Sequence, residues 1–99
     1  MSQNNILQYK GLPIARCGNK IYYGDPAERA ILVLTILESK IQNDEDIPSR
    51  VLVQIQSTDP ALELSPAKII KESEKATLSD ALEIGIIWLQ RELKAPTAR

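Results

Sequence analysis

Residues 78–93, LSDALEIGIIWLQREL, place the tightest constraint on what this chain can fold into. At about 100° per residue, Leu78, Ala81, Leu82, Ile84, Gly85, Ile86, Trp88, Leu89 and Leu93 share one apolar sector of roughly 200°. Ser79, Asp80, Glu83, Gln90, Arg91 and Lys94 fill the remainder. Two residues break the pattern: Ile87 points into the polar sector, and Glu92 intrudes on the apolar one. An apolar face that wide is not that of a free surface helix, so a second layer must cover it.

The ends of this segment suit a helix. Asp80 and Glu83 fall in its first turns and Arg91 and Lys94 in its last, matching the helix dipole. Thr77 or Ser79 can cap its start, and Pro96 makes continuation unfavourable. Gly85 sits in mid-face, where glycine costs about 1 kcal/mol relative to alanine. Of the two uses for such a glycine, close packing and approach of a ligand, packing is the expected one.

The covering layer is expected upstream. Ile6 to Tyr23 reads as two short strands, or three with a break at Gly11, and Cys17-Gly18-Asn19-Lys20 suits a tight hairpin turn. Pro13 cannot donate to a ladder, which places its strand at an edge. Asp25-Pro26-Ala27-Glu28 could open a helix, but the following run, ILVLTILESKI, is rich in β-branched residues and apolar at almost every position. The reading is a turn at 25–28 and then a strand over 29–41. Asn43 to Asp46 is an acidic turn, and a second strand over 49–58 completes a hairpin. Ser65-Pro66 starts a short helix through Lys75; a fifth strand at Lys68–Glu72 is the alternative. The expectation is therefore α+β: an antiparallel sheet of about four strands over residues 6–58, then a short helix (66–75) and a long C-terminal helix (78–95) packed on one face. Residues 1–99 form a single domain, with 1–5 and 96–99 as frayed tails.

That design leaves a surface without a cover. Along the central strand, Ile31, Val33, Thr35 and Leu37 face one way, and Ala30, Leu32, Leu34 and Ile36 the other. Both rows are apolar, whereas one long helix covers one face. The candidate interaction surface is Ile31, Leu32, Val33 and Leu34, with Ile87 as a further contact. Three covers are conceivable: the 66–75 helix, a second copy of the chain, or another protein.

Motifs for chemistry are missing. With no His and one Cys, the chain lacks the commonest general base, the commonest metal ligand and any internal disulfide. Cys17 has no His to activate it. Asp44, Glu45 and Asp46 lack the ligand spacing and glycine of a calcium loop. Lys68, Lys71 and Lys75 would share one side of the 66–75 helix, but Glu72 and Glu74 lie among them. Tyr9, Tyr22 and Tyr23, flanked by Lys10, Arg16 and Lys20, come nearest to a stacking platform for single-stranded nucleic acid. The net charge of −1 is evenly spread along the chain and does not resemble the footprint of a nucleic-acid binder. No catalytic, cofactor-binding or metal-binding residue is assigned.

The stretches YKGLPIARCGNKIYYGD, VQIQSTDP, and KESEK followed by ALEIGIIWLQREL resemble those of short, stand-alone, uncharacterised bacterial proteins, a domain of unknown function. The resemblance implies a bacterial origin, a β-rich front and a helical end; it carries no activity and no site residue. The functional expectation is a small cytoplasmic interaction protein, an accessory or regulatory subunit acting as a homodimer or on another protein. The MSQNN start does not read as a signal peptide, and no apolar run reaches membrane-spanning length. The alternative is a nucleic-acid-binding regulator using the basic N-terminal hairpin or the lysine-bearing 66–75 helix. An enzyme is not expected, because no carboxylate pair or lysine can be placed for catalysis.

Overall fold

The computed structural model describes residues 7–94. Six strands follow one another: β1 (Leu7–Tyr9), β2 (Leu12–Cys17), β3 (Lys20–Tyr23), β4 (Ala30–Gln42), β5 (Glu45–Ser57) and β6 (Ile69–Lys75). They form one antiparallel sheet in sequential order, and α1 (Leu78–Lys94) lies across it. Each neighbour in the sheet is also the neighbour in sequence, so short turns suffice.

Turn chemistry sets three of those connections. Lys10-Gly11 and Asn43-Asp44 have positive φ at both central residues (51° and 85°; 51° and 66°), the combination that matches the twist of a two-residue hairpin. In the Cys17–Lys20 turn only Gly18 does, at 62°. The expected turn at Gly18-Asn19 is present. The break at Gly11 is a true strand boundary.

β4 and β5 are thirteen residues each, about 43 Å at strand rise. Their paired ends run past the rest of the sheet as a two-stranded arm, in a molecule 51 Å in its longest dimension. Register irregularities at Ile36/Glu38 and Glu38/Ser39 mark where the arm departs, and Leu37 is the residue bulged out there.

The short-helix expectation is overturned. Ser65 does cap a turn, accepting a hydrogen bond from the Ala67 amide with Pro66 in the first position, but the turn is one 3-10 turn, Pro66–Lys68. Residues 69–75 are then β6, paired with β5 from Val51↔Lys75 to Gln56↔Ile69. Among the described residues the sheet thus has six strands rather than about four, and there is one α-helix rather than two. A helix at 66–75 would have left the outer ladder groups of β5 unpaired, whereas a polar, charged strand satisfies them and suits a sheet edge. The tails 1–5 and 96–99 lie outside the described residues.

The core is the α1 face of the sheet. Ala30, Leu32, Leu34, Val51, Val53 and Ile55 meet Ala81, Ile86 and Leu89 of the helix, all buried. Thr77 caps α1, its hydroxyl accepting from the Asp80 amide at 3.1 Å. Glu92, the misfit on the helical wheel, forms an ion pair with Arg29 at 3.3 Å, and Arg29 also donates to the Glu92 carbonyl in the last turn. Gly85 lies directly on Leu32: a Cβ there would stand 2.6 Å from Leu32 Cδ1. Its role is close packing.

Candidate functional site

With α1 on one face, the opposite face of the sheet carries the other row of each strand. The register aligns two rungs across it. One runs Tyr22, Val33, Gln54, Glu72; the next runs Lys20, Thr35, Leu52, Glu74. Ile31 and Gln56 extend the face on the side away from the arm. No second helix is available to lie over it among the described residues.

The centre of this face is apolar and already tight. Val33 is 1% and Thr35 9% exposed, each flanked by larger cross-strand neighbours. Ile31 and Leu52 are half-buried, and Tyr22 is exposed. One flank is polar and ordered. Gln56 donates to Gln54 at 2.9 Å, and Gln54 donates to Glu72 at 3.2 Å. Arg50 holds Glu74 through both carboxylate oxygens, at 3.2 and 3.1 Å, and reaches Glu38 at 3.0 Å. Hydrogen bonds to Glu74 first and Glu38 second, with their charges, push the Arg50 guanidinium still further towards its protonated form. The other flank carries Lys20, which is exposed.

The expected interaction residues divide among three places. Leu32 and Leu34 are fully buried beneath α1 as intramolecular core. Ile31 and Val33 lie on the open face. Ile87 is on the outer side of α1, 43% exposed, beside a shallow cavity of about 430 Å³ that Tyr9, Lys10, Glu83 and Gln90 also line. The sheet separates Ile87 from Ile31 and Val33, so they do not form one surface. Tyr22, Leu52, Lys20, Glu72 and Glu74 share this face, and sequence reasoning did not place them on the interaction surface. Extending the two-residue period of β4 across its neighbours would have found the first three, whereas the glutamates required knowing that 69–75 is a strand.

The basic residues behind the nucleic-acid alternative are not gathered. With the 66–75 helix replaced, Lys68 pairs with Glu63 at 3.3 Å, and the Lys71 ammonium stands 4.7 Å from the Trp88 ring centre. Lys75 lies by Asp80 and Glu83. The tyrosines divide as well. Tyr9 and Tyr23 meet edge to face at 6.1 Å, with the Tyr23 hydroxyl donating to the Tyr9 carbonyl at 2.9 Å, while Tyr22 is on the open face. Cys17 is exposed opposite Lys20. Among the described residues no three His, Cys, Asp or Glu side chains are grouped to hold a metal ion, and no helix is long and apolar enough to cross a membrane.

Comparisons of the chain with family models, with curated proteins and with solved structures gave no match. Function is therefore argued from the open face.

Proposed function

We propose that the protein is a small interaction module, an accessory or regulatory subunit, whose contact surface is the open face of the sheet and which acts as a homodimer. One observation carries the reading: the central strand is apolar on both faces, and α1 covers only the Leu32 and Leu34 row. Ile31, Tyr22 and Leu52 present apolar surface around Val33, which they and Gln54 already cover, with ordered polar groups at the margin, the anatomy of a protein contact. Two-fold homodimers are the commonest way small proteins cover such a face. A cytoplasmic setting suits a chain whose one cysteine, Cys17, is exposed and unbridged.

The test is solution mass by light scattering after size exclusion, at two concentrations. The wild type should run near twice its 11.0 kDa chain mass. Tyr22→Glu, a change at an exposed side chain, should give a folded monomer by circular dichroism, while Ile87→Glu on the far side of the molecule should leave the dimer intact. A wild-type monomer at both concentrations would sink the proposal.

A further inference from the structure

Resting on that reading, we propose that the partner is a second copy stacked open face on open face about a two-fold axis that runs along the strands, between β4 and β5. Lys20 of each copy then meets Glu74 of the other. Two independent features of charge placement lead there.

The first disfavours a competing mode, in which two copies pair through the charged run of the outer β6 edge. An antiparallel edge pair related by a two-fold must set residues of the same sheet face opposite one another. Centred on Ser73, it opposes Lys71 to Lys75 and Glu72 to Glu74. Centred on Lys71, Glu72, Glu74 or Lys75, it sets that charge against itself. Every register within the charged run brings like charges together, which destabilises cross-strand pairing. The charged edge of β6 does not favour the chain's own copy.

The second feature chooses the orientation of the stack. Charge on the open face is graded, with Lys20 at the β3 side and Glu72 and Glu74 at the β6 side. A two-fold between facing sheets lies in the plane between them, and in aligned stacking it runs along or across the strands. Across the strands, β6 would lie on the partner's β6, glutamates towards glutamates, and Lys20 would lie over a β3 that contains no acid. Along the strands, the order reverses while height is kept. Lys20 and Glu74 share a rung, so each falls opposite the other across the axis; Tyr22 and Glu72 do the same one rung away. Near the axis, Val33 falls opposite the partner's Gln54 and Thr35 opposite its Leu52.

The local charge supports this contact. Arg50 alone serves both Glu38 and Glu74, so each copy has one surplus negative charge at that point. Lys20 is exposed and enters no ion pair among the described residues. The acidic arm tips, Asp44 to Asp46, then point the same way, but they are exposed and screened over a Debye length of about 8 Å in physiological salt. In this stack β3 to β6 overlap, and four strands about 4.8 Å apart over roughly 20 Å, with the arm added, offer on the order of 600 Å² of face. That is the low end for specific interfaces, about 600 Å² per partner, and fits a dimer that dissociates readily.

Exchange of the two charges tests the orientation. Lys20→Glu and Glu74→Lys should each weaken the dimer by about tenfold or more, measured by sedimentation equilibrium. Mixed in equal amounts, the two variants should recover a dimer containing one of each, because both cross-axis contacts regain opposite signs. Lys20→Gln offers a check that leaves the Arg50 network alone: it should flatten the salt dependence of wild-type dissociation between about 50 and 500 mM. A wild-type dimer that Lys20→Glu leaves unchanged or tightens would overturn the orientation while sparing the open face as the contact. Failure of the mixture to pair, with both variants folded, would overturn it too. A monomeric wild type would instead defeat the underlying reading.

Discussion

At Gly85 the helix approaches the sheet so closely that a methyl group would overlap the end of Leu32, which is fully buried. Alanine would gain about 1 kcal/mol of helix propensity and, against a fully buried Leu32, lose about 2–3 kcal/mol to overpacking, so Gly85→Ala should lower stability by about 1–2 kcal/mol in urea unfolding. Leu32→Ala should cost less in that background than in the wild type, since it removes the clash. An alanine variant as stable as the wild type would refute the close approach. Tyr23 gives a second residue-scale outcome. Burial, with a smaller contribution from Tyr9, raises its phenol above the ordinary 10.0. The folded state therefore holds the proton to higher pH than the unfolded state; this stabilisation is intact below about pH 10 and is lost as pH rises through the raised value. In Tyr23→Phe the urea midpoint should fall less steeply above pH 10 than in the wild type, and identical alkaline slopes would contradict it.

Among the elements, the β4–β5 arm is the least supported. A two-stranded ribbon is marginal on its own in water, and this one presents Ile41 at 75% exposure. Its turn holds Asp44 at φ 66°, in the left-handed region that glycine occupies without steric cost. Asp44→Gly should slow amide exchange across the arm, raising its opening free energy by roughly 0.5–1 kcal/mol, and Asp44→Val should do the reverse. Equal exchange in all three proteins would mean the turn does not set arm stability. β6 shows the other side of element identity. Its KESEK run has neither the length nor the apolar stripe of a strong helix, and its alternation becomes meaningful only beside β5. There Lys71 goes to Trp88 on the α1 side, while Glu72 and Glu74 go to Gln54 and Arg50 on the other.

For the whole molecule, one helix on a six-stranded meander settles which apolar row becomes core and which stays open. Because the proposed dimer couples folding to association, its thermal midpoint should rise with protein concentration, a shift that Tyr22→Glu should abolish. Much of the architecture was legible in the chain. The period of residues 78–93, the Gly18-Asn19 turn and the β-branched run from Ala30 are local signals, and local backbone preference was enough to realise them as α1, a hairpin and β4. The existence of two apolar rows on β4 was legible too, since strand alternation follows from backbone geometry. Three things were decided only by tertiary structure: the fate of residues 69–75, the choice of the Leu32 and Leu34 row as core, and the assembly of Lys20, Glu72 and Glu74 on one face. Each depends on a partner strand or helix distant in the chain, and hydrogen-bond satisfaction and burial there outweigh the weak preferences of the segment itself.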